Sequence, residues 1–147
     1  MPTKVILHCS DSSWGNAALI TTWHLQNGWT TIGYSYVILN GQLAHDRFNH
    51  LFDGHIETGR PVDGDAFIDG DEIGAHARGY NRSVGICLIG QSNKFTDKQK
   101  HSVVHLVRTL KEQFGELEVV QHSDLDSKKP HCAGLPYSFM NLINKEL

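Results

Sequence analysis

The apolar residues of this chain come in short runs whose period changes along its length, and those changes divide it into elements. Val5, Ile6 and Leu7 form a continuous apolar run ending at His8 and Cys9, which reads as a short strand. Over 16–27, Leu19, Ile20 and Trp23 fall at helical spacing. That stretch follows a polar loop rich in N-cap residues and precedes Asn27 and Gly28, a good C-terminal stop. The run 33–40 reads as a strand. Asn40 and Gly41 then predict a tight hairpin turn, with the chain returning through Gln42 to Arg47. The segment 48–71 is full of Gly, Asp and His without a clear period, and reads as a long surface excursion. The run 82–90 is the most strand-like in the sequence. From Thr96 a long helix follows, with Val103, Val104, Leu106, Val107, Leu110 and Phe114 as its apolar stripe and an end near Gly115. A last strand over 118–122 and a helix over 136–145, with Pro136 near its first turn, close the chain.

This order of elements describes an α/β fold: a single domain with a central mixed β-sheet flanked by helices. A chain of 147 residues fits one domain over 1–147, large enough to bury a core without disulfides. Its three cysteines, Cys9, Cys87 and Cys132, are an odd number that suits a reducing compartment or metal ligation better than a disulfide framework. A net charge of −3 gives no electrostatic case for nucleic acid. The first four residues lead directly into a strand, without a secretory apolar region or cleavage site, and no run has membrane-spanning length. The expectation is a cytoplasmic protein with no signal peptide and no membrane partner.

Candidate chemistry concentrates over 119–134, VVQHSDLDSKKPHCAG. His122 ends a strand, and Cys132 follows ten positions later in a polar loop. Imidazole nitrogen and thiolate sulfur are ligands that zinc prefers, at about 2.0 and 2.3 Å, and a catalytic site takes three so that a fourth position stays open. His8, at the end of the first strand, is the best third candidate if the two strands lie side by side. Packing is the alternative, since ten histidines make coincidental pairs easy to find. The remaining histidines read differently. His45, His50 and His55 recur every five residues, which fits neither a helical nor a strand face, so they read as solvated. His101 and His105 are four apart, yet share a face with Arg108 and Glu112, and no Glu follows the first as the metalloprotease motif requires. His24 is expected to pack or to form a hydrogen bond, and Cys87 to act as a small buried hydrophobe.

Four blocks in register, VILHCS, WHLQNGWTTIGYSYVI, GAHARGYNRSVGICLIG and QHSDLDSKKPHCAG, carry a close resemblance to a known family. From about residue 4 to residue 140 the chain resembles the zinc-dependent N-acetylmuramoyl-L-alanine amidases, which include bacteriophage lytic amidases and the animal peptidoglycan recognition proteins. The resemblance implies a peptidoglycan-amidase-like fold, one Zn2+ ion held by His8, His122 and Cys132, and Tyr34 as a catalytic residue beside the metal. In the family a lysine two positions before the ligand cysteine joins the catalytic group. Here Pro130 stands at that position, so Lys128 and Lys129 become the candidates, with Lys129 favoured. Ser35 stands where a histidine often follows the tyrosine. His76 and Asn81 resemble residues that line the substrate groove, although Asn81 equally suits the closing of a turn. Arg60 is either a cover for the glycan or solvated.

The activity implied is hydrolysis of the amide that joins the lactyl group of N-acetylmuramic acid to the L-alanine of the stem peptide. Bacterial peptidoglycan is then the partner, and the protein a monomer. A lone catalytic domain without a signal peptide suits a phage endolysin that waits in the host cytoplasm until the inner membrane is opened. The rival within the family is a cytoplasmic amidase that recycles muropeptides. A non-catalytic peptidoglycan-binding module would lack the complete metal set. A cysteine amidase would use Cys132 or Cys9 with a histidine base, and a structural zinc protein would show no activity.

Overall fold

The computed structural model describes residues 2–29, 31–60, 74–77 and 79–147. Among these the chain runs β1 (Lys4–Cys9), α1 (Ala17–Gln26), β2 (Tyr36–Ala44), β3 (Arg47–Thr58), β4 (Val84–Leu88), α2 (Asp97–Phe114), β5 (Glu118–Gln121), α3 (His122–Leu125) and α4 (Tyr137–Glu146). The five described strands form one mixed sheet in the order β3-β2-β4-β1-β5. β1 is parallel to both β4 and β5, β2 is parallel to β4, and β3 runs antiparallel on β2.

Alternation along the strands sends side chains to two faces. On one face Val5, Leu7, Val84, Ile86 and Leu88 meet the apolar stripe of α2 together with Met140 and Ile143 of α4. On the other, Val37, Leu39, Cys87 and Ile89 pack with Ile32 and with Ile20 of α1. Strands covered on both sides read as continuous apolar runs, which is why β1 and β4 are so plain in the sequence. Each fully buried aliphatic side chain contributes about 1.5–3 kcal/mol of transfer free energy, so the α2 stripe is a main anchor of the larger core. Thr96 caps α2 by accepting from Gln99 N, while Gln99 Oε1 accepts from Thr96 N. The same Gln99, fully buried, donates its Nε2 to Ile38 O and Ile89 O, and so bolts the helix to β2 and to the chain just past β4.

Two expectations are corrected. Asn40 and Gly41 do not make the hairpin turn: β2 continues to Ala44, and the reversal falls at His45 and Asp46, with Ala44 paired to Arg47. Gly41 has φ +88°, but that conformation serves an irregularity inside the strand, where Asn40 Oδ1 accepts from Gln42 N. A Cβ on Gly41 would meet the Phe48 ring at 2.5 Å. Second, the first part of the supposed excursion is strand β3, since residues 48–58 pair with β2 through their backbones. Phe48, Leu51 and Phe52 stay exposed on this edge strand, so no in-and-out pattern betrays it. Residues 61–71 of that excursion lie outside the described residues.

The opposite edge is closed by a side chain. Asn144 of α4 accepts from Val119 N through Oδ1 at 3.0 Å and donates Nδ2 to Val119 O at 2.9 Å, pairing β5 much as a neighbouring strand would.

Candidate metal centre

In open α/β sheets, ligands gather beyond the carboxyl ends of parallel strands, and here those ends belong to β1 and β5. His8 is the fifth residue of β1, in register with Cys87 on β4. The chain leaves β5 at Gln121 and turns at once into the single-turn helix α3, whose first residue is His122. Gln121 is buried and holds the returning loop: Oε1 accepts from Gly134 N at 2.9 Å and from Leu135 N at 2.7 Å, and Nε2 donates to Leu135 O at 3.0 Å. Ser123 N also donates to Cys132 O. Gly134 has φ +90°, and its Cα lies so close to Ser92 that any Cβ would collide with it, so the loop requires glycine there.

These constraints bring one donor atom from each of His8, His122 and Cys132 within 4.8 Å of one another. Cys132 Sγ is 3.9 Å from His8 Nδ1, and the His8 and His122 rings are 4.5 Å apart between centroids. Tetrahedral zinc with bonds of about 2.0 Å to nitrogen and 2.3 Å to sulfur places its ligand atoms roughly 3.3–3.5 Å apart. The triad is therefore already near ligating distances, and its two imidazoles and one thiol fit the chemistry of that ion.

Electrostatics hold both imidazoles of the triad in the form that binds a metal. Burial first, then the neighbouring His76 and His122, hold His8 well below the usual imidazole range. Burial likewise lowers His122, with Lys129 adding to the effect and Asp126, its Oδ2 3.9 Å from His122 Nε2, opposing it. Neutral imidazole is the ligating form. The Cys132 thiol is pushed up, chiefly by its hydrogen bond to Cys9 and then by burial, while Cys9 N donates to Cys132 Sγ at 3.4 Å. The neighbouring Cys9 thiol moves the other way, lowered to about 7 chiefly by its hydrogen bond to Cys132, with burial opposing the shift.

Above the triad opens a cleft of about 750 Å³, lined by Trp29, Tyr34, His76, Asn81, Lys129 and Cys132 among others. Tyr34 lies just before β2, its ring centroid 5.1 Å from that of His8. Burial is the main cause that raises its phenol well above the ordinary value, and a hydrogen bond with the buried Cys87 thiol adds to the shift, so the hydroxyl stays protonated. Lys129 lines the cleft and Lys128 is not among its lining residues; both are exposed on the loop that follows α3. His76 is buried, with both ring nitrogens engaged by protein atoms. Burial lowers its pKa to about 4. Asn81 Oδ1 accepts from His76 N and Ala77 N, both at 2.9 Å, so this residue closes its own turn. His24 accepts from Gly33 N at 2.8 Å and packs against Trp29 with the two rings tilted, as expected of a packing residue. His45, His50, His55, His101 and His105 are all exposed and take no part. Arg60 donates Nε to Ile32 O at 2.8 Å.

Sequence reasoning passed over Gln121 and Trp29. Gln121 carried a signal: it lies two residues beyond the inward-facing Val119 on the same side of β5, and a polar residue at a buried position needs partners. Trp29 had none, being one aromatic in a polar stretch.

Two buried histidines and a half-buried cysteine at the floor of a cleft on an α/β sheet form a group that could hold a metal ion. The sequence matches the family described as Amidase_2, N-acetylmuramoyl-L-alanine amidase, over residues 1–134, and the chain belongs to that family. It is an enzyme of amidase type. It is 28% identical over 137 residues to an endolysin of Klebsiella phage KP32, covering 86% of this chain and 78% of the relative. The fold is similar to N-acetylmuramoyl-L-alanine amidase LysC from Clostridium intestinale, with a TM-score of 0.72 and 25% identity over 95% of this chain and 83% of the other. It is also similar to Drosophila PGRP-LB, with a TM-score of 0.65 and 26% identity over 90% and 75% of the two chains.

Proposed function

We propose that this protein cleaves the amide between the lactyl group of N-acetylmuramic acid and L-alanine with one zinc ion held by His8, His122 and Cys132, and that it acts as a phage endolysin. The observation that carries the reading is the convergence of three zinc-type donors within 4.8 Å from segments more than a hundred positions apart. What zinc supplies when bound is Lewis acidity, which polarises the scissile carbonyl and makes water a competent nucleophile near neutral pH. Tyr34 donates its phenolic proton in a hydrogen bond to the carbonyl oxygen as negative charge builds there. A preorganised donor of this kind is worth about 3 kcal/mol in the transition state. Lys129, on the cleft rim, brings a positive charge toward the same oxygen. Trp29 offers an aromatic face at the mouth of the cleft, suited to the apolar side of a sugar or peptide.

Among the described residues, no helix is long and apolar enough to cross a membrane. We place the protein in the host cytoplasm as a monomer, meeting peptidoglycan only after the inner membrane opens. The endolysin assignment is supported by the similarity to the endolysin of Klebsiella phage KP32; a recycling amidase is the competing role. Treating the enzyme with a strong chelator should abolish release of stem peptides from purified sacculi, and stoichiometric zinc should restore it. Mass spectrometry of the products should find free amino-terminal alanine and no new reducing sugar ends. Activity indifferent to chelation would sink the metal reading. A strong preference for soluble muropeptides over intact sacculi would favour recycling over lysis.

A further inference from the structure

The ring of His76 stands behind the metal site. Its Nδ1 lies 2.9 Å from His8 Nε2, and its Nε2 lies 3.2 Å from the carbonyl oxygen of Ser83. A carbonyl only accepts, so His76 Nε2 must carry a proton. In a neutral ring Nδ1 then holds the lone pair and accepts from His8 Nε2–H. His8 is thereby left with its own lone pair on Nδ1, the nitrogen that faces Cys132 Sγ at 3.9 Å.

The fold invests in this ring. His76 and Ala77 both donate their backbone N–H to Asn81 Oδ1, which fixes the turn that presents the ring. A Cβ on Gly85 of β4 would come 2.7 Å from His76 Cδ2 and Cγ, and one on Gly74 would also collide with Cδ2, so the imidazole lies in a slot that two glycines leave open. At 8% exposure, with both ring nitrogens bonded to protein, His76 has little left to offer a substrate.

We propose that His76 is a positioning residue: by relaying from the Ser83 carbonyl it holds His8 as the Nε2–H tautomer and aims Nδ1 at the zinc. This deepens the metal reading proposed above and rests on it for the identity of the ion. Outer partners of ligating histidines fix tautomer and ring orientation, and their loss typically weakens metal binding about 10–100-fold.

The test begins with metal-free protein labelled with 15N-histidine, in which long-range 1H–15N correlation reads each ring's tautomer. His8 and His76 should both be protonated at Nε2; His8 protonated at Nδ1, or a mixture, overturns the proposal. Because no zinc is present, this arm stands or falls separately from the metal assignment, which wild-type protein that binds no zinc would defeat. Zinc affinity is then measured by chelator competition. His76→Ala should weaken it 10–100-fold and let the His8 tautomer mix. His76→Gln, whose amide can accept from His8 and donate to Ser83, should recover most of the affinity. With zinc saturating, KM for peptidoglycan should be unchanged in His76→Gln. Unchanged zinc affinity in His76→Ala, no recovery in His76→Gln, or a raised KM with intact zinc affinity would each refute the role. If His76→Ala does not fold, the wild-type tautomers and the Gln variant decide.

Discussion

Replacing Gln121 by leucine tests whether the metal loop is held by a single amide. The substitution keeps most of the side-chain volume but strips the partners from Gly134 N, Leu135 N and Leu135 O. A buried polar group left without a partner costs about 1–3 kcal/mol, and here two donors and one acceptor are orphaned together. Counting the partly buried Gly134 N at the low end gives a loss of about 4 kcal/mol, a large share of the roughly 5–15 kcal/mol that a domain of this kind commands. Urea unfolding of the metal-free protein is the proper assay, because bound metal would add its own stabilisation. Cys132 lies only two residues before Gly134, so zinc affinity by chelator competition should fall in the same variant. Destabilisation below about 1 kcal/mol with unchanged zinc affinity would mean that the loop holds itself and that the reasoning is wrong.

Tyr34→Phe should lower kcat by about two to three orders of magnitude while leaving zinc content and thermal stability nearly unchanged, since only the hydroxyl is lost. A drop confined to KM would assign Tyr34 to substrate binding instead. Lys129→Met should reduce kcat about tenfold and Lys128→Met should not, because only Lys129 reaches the cleft lining. Equal effects of the two would remove any special role for either.

The parts of this fold that could be read in advance are those whose burial is periodic or continuous. The stripe of α2 and the runs of β1 and β4 face covered surfaces, so their composition records their position. β3 left no such record, because its large apolar residues Phe48, Leu51 and Phe52 are exposed and its pairing is made by the backbone. The Asn40-Gly41 signal misled for a related reason: a glycine at positive φ serves a strand irregularity as readily as a turn, and local chemistry alone does not separate them. The triad was legible because His8 and His122 fall at the ends of two strand-like runs, Cys132 follows in the next loop, and all three lie in blocks that resemble a known family. The residues that hold it were harder. Gln121 acts through hydrogen bonds that join segments 13 or 14 positions apart, and His76 through one that spans 68. Such long-range pairing leaves no period in the sequence.

The amide of Asn144, spent on the outer side of β5, also guards solubility. A bare outer strand is a template on which another copy of the chain can lay itself down. Replacing Asn144 by leucine would uncover Val119 N and O at that border. The first symptom of such damage would be turbid, self-associating protein at high concentration, well before any slowing of the enzyme in dilute assays.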